Sequence, residues 1–154
     1  MRNALILLAA GTCFGIAGSA SAEPGSIQYL NSGKVLPANL PFSEAVRVGN
    51  VLYLSGQIGI VPGTTQLAPG GIREEARQTM ENIRTSLEAN GYGLANVVKC
   101  TVMLADMADW AAFNEIYKPF FPVSGHYPAR SALAASGLAF GARVEVDCIA
   151  AVGQ

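Results

Sequence analysis

The chain has 154 residues, ten basic against eleven acidic side chains, a formal net charge of −1 and 51% hydrophobic residues. The charge balance excludes the basic footprint that nucleic-acid binding needs, and the length sets one domain with a single core. One histidine and three cysteines leave little for a metal centre or a histidine-activated nucleophile.

The first 22 residues, MRNALILLAAGTCFGIAGSASA, combine Arg2, an apolar stretch from Ala4 and a small-residue Ala20-Ser21-Ala22 site. They read as a secretory signal peptide cleaved after Ala22, leaving a domain over 23–154 in the periplasm or outside the cell. Gly11, Thr12, Gly15, Gly18, Ser19 and Ser21 dilute the segment too heavily for a membrane anchor, which takes roughly 20 predominantly apolar residues. No stable membrane association is expected after cleavage. Of the cysteines, Cys100 and Cys148 remain, each inside an apolar run where a free thiol is a common small hydrophobe. Buried thiols are expected rather than a bridge.

Residues 23–42 are rich in Pro, Gly, Ser and Asn and read as an arm with at most one short strand. Ser43 to Val48 and Val51 to Ile60 flank Gly49-Asn50, a two-residue hairpin signal. VPGTTQLAPGG, residues 61–71, has no period and reads as a loop. From Ile72 onward Ala76, Met80, Ile83 and Leu87 recur at helical spacing, with Glu74 and Glu75 suited to the N-terminal dipole and Asn90-Gly91 as a stop. Val97 to Leu104 is β-branched and apolar, a strand. Asp106 or Asp109 caps a second helix carrying Trp110, Phe113, Tyr117 and Phe120 on one side, with Pro119 disturbing its end. Two strands close the chain, near 130–136 and 143–151. The order describes an α+β single domain, a mixed sheet of about six strands backed by two helices. Its strands are apolar on both faces, so the face away from the helices needs another cover, most simply copies of the same chain.

No HExxH, GxSxG, phosphate loop or zinc spacing is present, and no metal is expected. His126, in a loop beside Tyr127-Pro128, reads as exposed or capping, and Trp110 with the aromatics after it reads as core. Arg130 opens an apolar strand two residues after Pro128. A rigid element thus delivers its planar fork, either to a ligand carboxylate or to Glu145 or Asp147 at a strand edge. Glu145 and Asp147 share one face of the last strand.

The segment PARSALAASGLAFGARVEV resembles the signature of the RidA (YjgF/YER057c/UK114) family, a Pro-Ala-Arg-Ser start followed at fixed distance by a hydrophobic-Glu-hydrophobic step. PFSEAVRVGNVLYLSGQIG is similar to that family's N-terminal hairpin, EEARQTMENIRTSLEANG to its first helix, and VVKCTVMLADMADWAAFNEIY to its central strand and second helix. The resemblance implies a chorismate-mutase-like fold and a homotrimer with ligand clefts between subunits. It implies cofactor-independent hydrolysis of reactive enamines and imines, such as 2-aminoacrylate or 2-iminobutanoate, to 2-oxo acids and ammonia. By carry-over, Arg130 binds the substrate carboxylate and Glu145 positions or activates water and moves the proton between enamine and imine forms. Ser55, Gly56 and the backbone at Ala132 line the pocket, where some relatives carry a cysteine in place of Ala132. Phe42 stands where the best-studied deaminases carry a tyrosine. Beside the deaminase stand a noncatalytic exported trimer that binds small carboxylates or protein partners, and the ribonuclease activity of some relatives, which the low basic content disfavours.

Overall fold

The hairpin and the β-branched runs assemble into one seven-stranded sheet in the computed structural model, which describes residues 25–37, 39–121 and 126–153. The leader expected over 1–22 lies outside the described residues. Strands β1 (Ile27–Leu30), β2 (Ala45–Val48), β3 (Val51–Leu54), β4 (Gln57–Ile58), β5 (Val97–Leu104), β6 (Ala129–Ala134) and β7 (Val144–Ala151) lie in the order β1-β2-β3-β7-β5-β6, with β4 also on β7. Helix α1 (Ile72–Ala89) joins the hairpin half to the rest, and α2 (Trp110–Tyr117) is the crossover between the parallel pair β5 and β6. The sheet exceeds the expected count because the second hairpin strand divides at Ser55-Gly56 and resumes as the two-residue β4.

Local chemistry sets the elements. Gly49 turns the β2–β3 hairpin with φ 55°, and Val48 faces Val51 across the two-residue loop, as a Gly-first tight turn requires. The α1 stripe Ala76, Met80, Ile83 and Leu87 is fully buried against Leu52, Val102, Val144 and Val146 of the sheet. Asp106 caps the turn before α2, accepting from the Ala108 N–H at 2.8 Å.

Two buried polar side chains of α1, Asn82 and Glu75, tie it to the strands that matter below. The Asn82 amide donates to the Ile58 and Ile60 carbonyls at 3.0 and 2.9 Å, which holds β4 in place. Glu75 accepts from the Arg143 N–H at 2.8 Å, while the Arg143 guanidinium forks onto Asp109 at 2.9 Å twice. That clamp fixes the start of β7.

The opposite face of the sheet is open. Tyr29 is 71% exposed and Tyr53 48%, and Ile27, Val48 and Leu133 join them on that side by register.

The expectation of free thiols is corrected. Cys100 and Cys148 form a disulfide. They oppose each other across β5 and β7 with Cα atoms 4.1 Å apart, and both point into the core, so register brings together two sulfurs that lie 48 residues apart in sequence. Closing a loop of that length removes unfolded-state entropy worth about 4 kcal/mol. Reduction is expected to lower the thermal midpoint by roughly 10 °C. Scanning with and without a phosphine reductant checks this, and coincident transitions would contradict it.

Candidate active site

β7 alternates core and open face, so Val144, Val146 and Cys148 are buried while Glu145 and Asp147 stand half-buried on the open side. Burial raises the Glu145 carboxyl above its ordinary value, and the negative charge of Asp147 raises it further. A carboxyl tuned in this direction is suited to holding and releasing a proton.

The break between β3 and β4 belongs to this residue. A Cβ at Gly56 would fall on Glu145 Oε1 and stand 3.0 Å from its Cδ, so only glycine leaves room for the carboxylate here. Ser55 beside it donates its hydroxyl to the Ser43 carbonyl at 2.7 Å and its N–H to the Glu44 carbonyl at 3.0 Å. Those bonds draw the segment of Phe42, 49% exposed, toward the strand break. Four of the expected residues, Phe42, Ser55, Gly56 and Glu145, thus fall in one region.

Glu44 joins that region without having been singled out by sequence. It is buried, and one carboxylate oxygen takes both the N–H and the hydroxyl of Ser32 at 2.6 Å each. Its other oxygen has no partner among the described residues. No spacing in the sequence marked it.

Arg130 lies elsewhere. It pairs in register with Cys100, whose side chain faces the core, so Arg130 points to the helix side of the edge strand β6. Its guanidinium sits 4.6 Å from the Trp110 ring, 4.6 Å from Tyr117 and 5.9 Å from Phe113. Cation–π contact on three rings fixes the fork. The aromatic stripe of α2 is therefore both core and platform: Phe113 is fully buried, while Trp110 and Tyr117 also carry the arginine. The edge pairing of Arg130 with Glu145 or Asp147 does not occur, and among the described residues no ion pair involves it. Arg130 opens onto a pocket of about 260 Å³ lined by Asn114, Tyr117, Lys118, Tyr127 and Pro128. Burial raises the Tyr117 phenol, partly offset by Arg130, and keeps it neutral. Ala132, two residues along β6, is half-buried on the same side, and His126 is exposed.

Arg130 and Glu145 do not meet within one chain. Met103 pairs with Glu145 and Cys100 with Arg130, three residues apart on β5, so the two side chains leave opposite faces. They are also two strands apart, roughly 14 Å between Cα atoms from strand spacing and rise. Among the described residues no group of three His, Cys, Asp or Glu could hold a metal ion.

The family model for Endoribonuclease L-PSP matches residues 33–152. The chain is 48% identical over 126 residues to the mouse 2-iminobutanoate/2-iminopropanoate deaminase, covering 82% of this chain and 92% of that protein. Its structure is similar to that of RidA from an Antarctic Psychrobacter (TM-score 0.74, 38% identity, 81% of this chain and 99% of that one). It is also similar to E. coli TdcF with bound serine (TM-score 0.75, 29% identity, 82% and 99%). With the family model spanning residues 33–152 and a relative 48% identical over 126 residues, the chain belongs to the RidA family.

Proposed function

We propose that the protein is a cofactor-independent imine deaminase, working as an exported homotrimer that hydrolyses 2-imino acids such as 2-iminobutanoate to the 2-oxo acid and ammonia. The observation that carries this reading is Arg130, a guanidinium locked on aromatic rings with its fork left for a ligand carboxylate, in a chain similar to a named 2-iminobutanoate/2-iminopropanoate deaminase. Arg130 takes the carboxylate of the substrate through two parallel hydrogen bonds. Glu145 accepts a proton from the water that adds to the imine carbon. Glu145 returns that proton to the nitrogen, the hydroxyl of the tetrahedral adduct gives up the second, and nitrogen leaves as ammonia while the carbon–oxygen double bond forms. For an enamine, Glu145 first delivers its proton to the β-carbon. Gly56 leaves the space in which the carboxylate moves, and Ser55, the Phe42 ring and the backbone at Ala132 line the cleft.

The same geometry supports assembly from copies of the chain, taken here as the homotrimer that the family resemblance implies. A site that uses both Arg130 and Glu145 takes one from each of two copies, and the exposed apolar side chains of the open face supply the contact. Export rests on the leader sequence and is supported by the disulfide, which persists in oxidising compartments. A ribonuclease reading is disfavoured because Glu145 and Asp147 repel a phosphate backbone.

The test is release of 2-oxobutanoate from 2-iminobutanoate generated in situ by an amino-acid oxidase. Acceleration over spontaneous hydrolysis is expected, and none would leave the carboxylate-binding reading. In the same assay Phe42→Tyr is expected to raise kcat/KM about fivefold, the scale of one added hydrogen bond. An unchanged rate would show that the ring alone suffices.

A further inference from the structure

The pocket at Arg130 has a second cation that capture of one carboxylate does not use. Lys118 follows α2 directly, opening the turn Lys118–Phe120, and Pro119 behind it fixes the local backbone. Among the described residues Lys118 makes no ion pair, and none of the residues lining the pocket is acidic. Arg130 and Lys118 therefore share one small space with the rings of Tyr117 and Tyr127 as its walls. Its volume of about 260 Å³ lies below that of sites for drug-sized ligands, which suits a small metabolite.

The two cations ask for different partners. The planar fork of Arg130 fits a carboxylate edge-on, whereas the Lys118 ammonium is a point charge on a flexible stem. A substrate with a plain alkyl side chain would leave the exposed Lys118 ammonium without a partner on the ligand. A substrate ending in a second carboxylate would satisfy both.

We infer that the protein selects imino acids whose side chain carries a distal carboxylate, with Arg130 holding the carboxylate beside the imine carbon and Lys118 the distal one. This rests on the deaminase reading above. Asn114, on the preceding turn of α2, supplies an amide N–H to the same ligand.

Hydrolysis of 2-iminoglutarate and 2-iminobutanoate, each generated in situ, is compared for the parent, Lys118→Ala and Lys118→Glu. The parent is expected to favour 2-iminoglutarate in kcat/KM. That preference is expected to fall about fivefold in Lys118→Ala, the scale of one solvent-accessible ion pair, and to reverse in Lys118→Glu. A parent that favours 2-iminobutanoate, or a ratio equal in all three proteins, overturns the inference. Calorimetric binding of glutarate and butanoate to the same proteins separates this from the parent reading. If neither imine is turned over, deamination fails, yet a glutarate preference lost in Lys118→Glu still supports the two-cation pocket, and no preference overturns it.

Discussion

Arg130→Lys is expected to lower kcat/KM for 2-iminobutanoate about a hundredfold, with the thermal transition little changed. Two effects add. The ammonium cannot reproduce two parallel bonds to a carboxylate, and charge-assisted bonds of this kind contribute about 1.5–3 kcal/mol each. It also stacks less well on Trp110 and Tyr117, both 4.6 Å from the guanidinium carbon, so the cation is held less firmly where the substrate arrives. The loss should appear in KM and kcat together, because a misplaced carboxylate also misplaces the imine carbon. Steady-state kinetics on a folded variant checks this. Unchanged kinetics would make Arg130 a brace for α2.

Glu145→Gln is expected to cost about 10²–10⁴-fold in kcat, the range that a positioned general acid–base supplies. The amide has nearly the same shape but cannot take up the water proton, so substrate binding at Arg130 should survive. The pH profile gives a sharper reading. Burial and Asp147 raise the Glu145 carboxyl above 4.5, and the base must be ionised to act, so activity falls as pH drops through that raised value. Asp147→Asn removes one of the two causes and should move the acid limb downward. A limb that stays in place in Asp147→Asn, or a Glu145→Gln enzyme as fast as the parent, would rule out this role.

Much of the fold was legible because periodicity reports burial directly. The α1 stripe from Ala76 to Leu87, the hairpin at Gly49-Asn50 and the strand from Val97 to Leu104 each depend on neighbours close in sequence, and each stands where its pattern places it. The break at Ser55-Gly56 was not legible, because its cause is the Glu145 side chain on another strand. The disulfide was missed for the same reason: apolar surroundings describe a cysteine's burial, whereas its partner depends on the β5–β7 register. The site residues could be nominated through resemblance, but their separation onto two faces needed the order β7-β5-β6. Lys118 gave no sequence signal, since a lysine after a helix ordinarily reads as solvated.

On the proposed deaminase reading, one working site draws Arg130 from one copy and Glu145 from another. Arg130→Lys and Glu145→Gln proteins, each strongly impaired, are co-refolded at equal concentration and assayed for 2-oxobutanoate release. Random mixing places an intact Arg130 beside an intact Glu145 in about a quarter of the clefts of a closed ring, so recovery of about a quarter of the parental rate is expected. A mixture as slow as its two components, with mixed oligomers demonstrated by mass, would contradict the shared site.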